Sequence, residues 1–259
     1  MENAYNDLLN ILKRHKKIGV AFSGGVDSTL LLHAAQEAVG VANVIAVFCL
    51  STLLSSRQKM NCRNVLSVNF PHDTRYIELE LFPLKWREFT ENSKLRCYYC
   101  KKKIFSSCIN ALVEHECFVL MDGSHVDDLE KDRPGLRAVQ ELGVETPLAK
   151  AGFTKIDIRS AARLSALVNH GLPSNSCLAT RIQENCKIEE KLLRKIEAAE
   201  NFIEKLGFIG CRVKPRDFST VVELQVDDLK RFDGPIRDKC KKFFYKIGFE
   251  SKVLSLCGR

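Results

Sequence analysis

The chain has 259 residues, 45% of them hydrophobic and 28% charged. That is enough apolar material for one large or two modest domains, and it excludes a disulfide-stapled mini-domain. The net charge of +8 sits in short runs ("KRHKK", "CKKKIF", "KCKK") that read as solvated helix faces, so a phosphate- or carboxylate-rich small molecule is the expected partner and nucleic acid is not.

The N-terminal "NAYNDLLNILKRHKK" predicts a helix and lacks the apolar core of a signal peptide. The longest apolar run, "VIAVFCLSTLL", is about half the ~20 residues of a membrane span. A cytoplasmic protein without membrane contact is therefore expected. The next segments alternate: "KIGVAF" predicts a strand, "STLLLHAAQEAV" a helix, "NVIAVF" a strand, residues 55–66 a helix, "TRYIELEL" a strand, 98–115 a helix and "CFVLMDG" a strand. Such alternation predicts an α/β, Rossmann-like parallel sheet with helices on both faces. Thr154 is placed to cap a helix whose apolar face is Ile158, Ala161, Ala162, Leu164 and Ala166 and which ends near Gly171 and Pro173. Beyond it come the amphipathic "KIEEKLLRKIEAAENFIEKLG", the strand-like "CRVK" and "TVVELQV", and a closing helix and strand. These predict a smaller α+β domain, dividing the chain into 1–172 and 173–259.

Eleven cysteines in a reducing compartment are not a disulfide framework. Cys49, Cys108, Cys117, Cys186, Cys211, Cys240 and Cys257 stand singly, several inside apolar runs, and are expected to be packing residues. Cys97 and Cys100 in "LRCYYCKKKIF" differ, because two thiols at this spacing suit half a zinc site, part of an iron–sulfur cluster or no metal at all. Tyr98 and Tyr99 between them read as packing. Cys177 lies in the turn-rich "GLPSNSCLATRI" with Arg181 four residues on, a setting that favours thiolate.

Between the first strand and the first long helix of the alternation stands SGGVDS. Gly24 and Gly25 let backbone approach an anion, Ser23 and Ser28 add hydroxyls, and the helix N-terminus aims N–H groups at the same point. This is a phosphate loop without the lysine of a Walker A motif. It is identified as the signature of the PP-loop ATP pyrophosphatases, which implies cleavage of ATP between the α and β phosphates, with Asp27 helping to hold Mg²⁺ on the pyrophosphate. A second acidic stretch, "MDGSHVDDLEKDRPGLRA", puts Asp122, Asp127 and Asp128 at the carboxyl edge of the sheet with Arg133 and Arg137 following. It reads either as a metal and phosphate site or as a solvated acidic loop.

SGGVDS, "RCYYCKKKIF", "DGSHVDDLEKDRPGLRAVQELGV", "PLAKAGFTKIDIR", "PSNSCLATRI" and "VEL" after "CRVK" together resemble the LarE family of ATP-dependent sulfur-insertion enzymes, from about residue 5 to residue 250. The resemblance implies adenylation of a carboxylate of pyridinium-3,5-biscarboxylic acid mononucleotide and its conversion to a thiocarboxylate during nickel-pincer nucleotide synthesis. Some members give up the sulfur of one cysteine, matched here by Cys177. Others hold a [4Fe-4S] cluster on three cysteines, matched by Cys97, Cys100 and Cys177, and the latter kind is the one this chain resembles. The resemblance also assigns Arg212 and Lys214 to substrate phosphate, Glu200 and Glu223 to a divalent ion, Arg181 to the site, and a homo-oligomeric assembly. The chain departs from the pattern at His125, at "EKDRPG", at Leu172-Pro173 where a Lys-Pro pair is usual, and at Lys214 where Arg is usual. A glycine- and serine-containing tail beyond "LSLCGR" would also be expected. The alternatives are tRNA thiolation, a non-catalytic nucleotide sensor and an amide-forming ligase.

Overall fold

Runs that can be buried on both faces become the inner strands of a parallel sheet, and in the computed structural model they do so at the positions expected from the alternation. The structure describes residues 2–71, 73–129, 134–174, 176–249 and 253–258. In chain order its elements are α1 (Glu2–Leu12), β1 (Ile18–Ala21), α2 (Val26–Val39), β2 (Val44–Leu50), α3 (Ser56–Asn69), β3 (Arg75–Glu80), α4 (Arg87–Thr90), α5 (Arg96–Val113), β4 (Leu120–Met121), α6 (Val126–Leu129), α7 (Pro134–Glu141), α8 (Pro147–Lys150), α9 (Lys155–Leu164), α10 (Glu190–Lys205), β5 (Arg212–Pro215), β6 (Ser219–Leu224), α11 (Gly234–Lys246) and β7 (Val253–Gly258). They fall into two units. One takes residues 1–51, 56–82 and 95–172. The other takes 173–259 together with the short stretches 52–55 and 83–94.

The first unit holds a parallel sheet in the order β3-β2-β1-β4. Winding runs outward from β1 through β2 to β3 and then returns to the other side of β1. The carboxyl ends of β1 and β4 therefore flank a topological switch point, where open α/β sheets take their ligands. Along β2, Ile45, Val47 and Cys49 face one way and pack with Phe105, Cys108 and Leu112 of α5 and with Val139 of α7. Alternate residues Val44, Ala46 and Phe48 are buried on the other face, where α2 lies against β1 and β2. Each fully buried Leu, Ile or Phe contributes roughly 1.5–3 kcal/mol. Gly19 of β1 has a specific role, since a Cβ there would stand 2.2 Å from Leu112 Cδ1. Only glycine lets α5 lie this close to the central strand.

Thr154 caps α9 in a full capping box with Asp157. The helix ends at Leu164, short of the expected Gly171. Its carbonyls are closed by Leu167 N–H donating to Ala162 O at 2.9 Å and Ala166 N–H to Arg163 O at 3.1 Å, with Ala166 at φ 54°. This is a Schellman ending made by alanine, so the glycine that would have signalled it is absent. Leu167 is buried by the motif, whereas Leu164 is 76% exposed and not part of the apolar face.

In the second unit, β5 and β6 pair antiparallel and β6 and β7 parallel. The amphipathic α10 buries Leu193, Ile196, Ala199 and Ile203, and the Phe202 and Phe243 rings stack at 4.2 Å between α10 and α11. Among the described residues no helix is long and apolar enough to cross a membrane.

Candidate functional site

The loop between β1 and α2 is built around two hydroxyls and two glycines. Ser28 Oγ accepts from Ser23 N–H at 3.2 Å and donates to Gly25 O at 3.1 Å, and the Ser23 and Ser28 hydroxyls are 3.1 Å apart. Gly24 has φ +71°, and a Cβ on it would meet the Cys62 Cα at 2.7 Å. Its glycine identity is therefore required both by backbone region and by space. Gly25 is the N-cap of α2, whose first-turn N–H groups and positive dipole end open at this loop. The turn is also held from a distance: the buried Asn169 donates to Gly24 O at 3.0 Å and to Thr29 Oγ1 at 2.9 Å. A Cβ on Gly123, just after β4, would lie 3.0 Å from Ser28 N, so the turn after β4 and the first turn of α2 approach backbone to backbone.

Asp27, in the first turn of α2, does not stand alone. Lys155 Nζ donates to both of its carboxylate oxygens, at 2.5 and 2.7 Å, and the Lys155 backbone N–H donates to Asp127 Oδ2 at 2.8 Å. The ion pair is half-buried, with side chains 25% and 27% exposed, so it keeps a solvent-facing side at which a ligand can meet the lysine. Lys155 thus joins Asp27 to Asp127, a link that sequence reading missed. His125 lies between Asp127 and Asp128, at 3.5 and 3.4 Å. Asp122 accepts from Lys101 Nζ and from Ser124 N–H, both at 2.9 Å. Arg133 lies outside the described residues. Arg137 is turned elsewhere, donating to Glu141 at 2.8 Å and covering the Tyr98 ring.

Cys97 and Cys100 fall in the opening turns of α5, three residues apart and so on one side of the helix, the first exposed and the second half-buried. Tyr98 packs edge-on against the Tyr99 ring and is hydrogen-bonded as well. It donates to Glu141 at 2.7 Å and accepts from Lys102 Nζ at 2.9 Å. Lys102, Tyr98 and Arg137 together hold the Glu141 carboxyl down at about 2. The other cysteines divide. Cys62, Cys108, Cys117, Cys211 and Cys240 are buried, and burial pushes the Cys62 thiol up to about 12 and Cys240 to about 11. Cys186 and Cys257 are exposed, which corrects the expectation that they pack in the core.

In the second unit Cys177 is the N-cap of a one-turn 3-10 helix, Leu178–Arg181. Arg181 is 1% exposed and every side of it is bonded. Nε and Nη2 fork onto Glu200 at 2.8 and 3.2 Å, while Nη1 donates to Ser176 O, Ser176 Oγ, Cys177 O and Thr180 Oγ1. Glu200 also accepts from Val213 N–H at 3.0 Å. The arginine therefore shapes the Cys177 loop through its carbonyls, and its charge is matched by Glu200. Arg212, Lys214 and Glu223 share one face of the β5–β6 pair. There Lys214 pairs with Glu223 and Arg212 reaches Ser174 O at 3.4 Å. Within either unit, among the described residues, no group of three or more His, Cys, Asp and Glu side chains is set to hold a metal ion. The thiols Cys97 and Cys100 belong to one unit and Cys177 to the other.

No protein-family model matches the chain. An uncharacterised protein of Methanocaldococcus jannaschii is 30% identical over 244 residues, covering 94% of this chain and 90% of its own length. An uncharacterised protein of Synechocystis is 27% identical over 241 residues, covering 92% and 88%. The pyridinium-3,5-bisthiocarboxylic acid mononucleotide synthase of Lactiplantibacillus plantarum is 28% identical over 257 residues, covering 97% and 90%.

Proposed function

Because the chain belongs to one family with the uncharacterised Methanocaldococcus jannaschii protein and resembles the Lactiplantibacillus plantarum synthase along almost its whole length, we propose that it is an ATP-dependent sulfurtransferase of the LarE type. The observation that carries this is the loop at the switch point. Two serines, two glycines and a helix N-terminus form an anion cradle, with Asp27 and Lys155 at its edge.

In this reading the Ser23–Ser28 loop takes the β and γ phosphates of ATP, and Asp27 takes the Mg²⁺ that accompanies them. Lys155, which bonds Asp27 in the structure, would turn to a phosphate oxygen and leave the Asp27 carboxylate to hold a divalent cation. A substrate carboxylate oxygen then attacks the α phosphorus, the bond to pyrophosphate breaks, and an acyl-adenylate forms. A sulfur nucleophile displaces AMP from the acyl carbon to give the thiocarboxylate. Repetition on the second carboxylate of pyridinium-3,5-biscarboxylic acid mononucleotide gives the product named for the Lactiplantibacillus plantarum relative.

Cys97, Cys100 and Cys177 are the thiols that would hold a [4Fe-4S] cluster, a donor set of the right chemistry that would leave one iron without a protein ligand. When bound, such a group supplies replaceable sulfide. The chain's own part is to present two thiols on one helix face and a third on a loop fixed by Arg181. Arg212 and Lys214 would meet the substrate phosphate. Glu200 and Glu223, the residues proposed for a divalent ion, would have to give up Arg181 and Lys214 to take it, which favours the phosphate role for this face. The assembly is proposed to be a cytoplasmic homo-oligomer.

The test is anaerobic turnover with ATP, Mg²⁺, sulfide and the pyridinium dicarboxylate mononucleotide, following AMP, pyrophosphate and the mass of the acceptor. AMP, pyrophosphate and a gain of sulfur for oxygen in the same samples support the proposal. Nucleotide binding without pyrophosphate release, or release that depends on tRNA and falls steeply with salt, would overturn it.

A further inference from the structure

Two of the cysteines expected to be plain packing residues are in contact. Cys49, near the end of β2, and Cys108, in the fourth turn of α5, have their Sγ atoms 3.4 Å apart although 59 residues separate them. Cys108 is 1% exposed, inside the cluster that joins α5 to the sheet, and Cys49 packs against that cluster from a partly exposed position. Cys49 is therefore the more exposed member of the pair. The contact between the two thiols draws Cys49 below its ordinary value, while the same contact and burial push Cys108 up. Cys49 is thus the sulfur that ionises and Cys108 the one that keeps its proton. A disulfide would bring the two sulfurs from 3.4 Å to ~2.05 Å.

We propose that Cys49 and Cys108 form a reversible disulfide with peroxide as oxidant, stapling α5 to β2. The Cys49 thiolate attacks one peroxide oxygen. The S–O bond forms, the O–O bond breaks, and the leaving hydroxide takes a proton to become water. Cys108 sulfur then attacks Cys49 Sγ, forming the S–S bond, while the S–O bond breaks and the oxygen leaves as water with the Cys108 proton. Each sulfur loses one electron and the peroxide is reduced to two waters. A thiol reductant reverses the step by exchange. This dithiol is separate from the thiols assigned to sulfur transfer, and its staple holds the helix that carries Cys97 and Cys100.

The experiment oxidises the full-length protein with hydrogen peroxide, removes the excess, alkylates under denaturing conditions and maps the peptides by mass. The expected result is a Cys49–Cys108 linked pair, lighter by two hydrogens than the two reduced peptides and separated again by dithiothreitol. In Cys49→Ser, Cys108 should stay alkylatable after the same treatment. As a second readout, oxidised wild type should melt at a higher temperature than reduced wild type, and Cys108→Ala should show no such difference. Cys49 and Cys108 both remaining alkylatable while other cysteines oxidise would overturn the proposal, as would Cys49 advancing to sulfinic acid without a linked peptide. Neither outcome bears on pyrophosphate release, so the proposed function is tested independently.

Discussion

The two units each hold a carboxylate and a cation in contact, and they use them in opposite ways. Asp27 and Lys155 are half-buried at the end of a sheet, where water partly screens them and a ligand can compete for either partner. Arg181 and Glu200 are enclosed, the guanidinium hydrogen-bonded to Glu200 and to oxygens of Ser176, Cys177 and Thr180. Removing one partner there leaves an uncompensated buried charge. Residues of the same chemical type thus serve as an exchangeable binding edge in one place and as a fixed scaffold for a cysteine loop in the other.

The largest effect is expected where the charge is buried. Arg181→Ala should lower unfolding stability by ~3–5 kcal/mol, seen as a shift of the urea midpoint, and an unchanged midpoint would erase the distinction between the two pairs. Asp27→Asn should slow pyrophosphate formation ~10²–10³-fold, about 3–4 kcal/mol of barrier, while its urea midpoint moves by no more than ~0.5 kcal/mol. A large stability loss there would make Asp27 a structural residue like Arg181. Thr154→Ala should cost ~1 kcal/mol through the lost cap of α9. Lys155 is the first residue of that helix, so the variant should also raise the ATP requirement, and separating the two effects sharpens the link between cap and site. The smallest effect belongs to the exposed cluster around Tyr98. The Glu141 carboxyl is lowered from 4.5 to about 2, so its contribution is present above about pH 4.5 and is lost as the pH falls through about 2. Comparison of wild type with Glu141→Gln across that range should show the difference shrinking on acidification.

What was legible in the sequence was local. The strand, glycine turn and helix around Gly24 follow one another without a break between Ile18 and Val39, and the Thr154 cap is decided within four residues. Lys155 was not legible because its partner Asp27 lies 128 residues away, and no pattern near either residue announces the contact. The end of α9 was misplaced because alanine does the work for which glycine is the usual sign. Arg181 and Glu200 were both singled out, yet their pairing across 19 residues and its depth depend on how α10 packs, which periodicity alone does not reveal. The contact of Cys49 with Cys108 is of the same kind, since each reads singly as a small hydrophobe.

The close approach of α5 to β1 over Gly19 makes that helix a lever. Leu112 rests on the missing side chain, and Cys97, fifteen residues earlier on a rigid rod rising 1.5 Å per residue, is about 22 Å from that fulcrum. A tilt of about 5° at the fulcrum would carry the far end by about 2 Å, by the same helical rise, comparable to a sulfur–metal bond. The accuracy with which α5 places Cys97 and Cys100 thus depends in part on an atom that one strand residue in the core lacks.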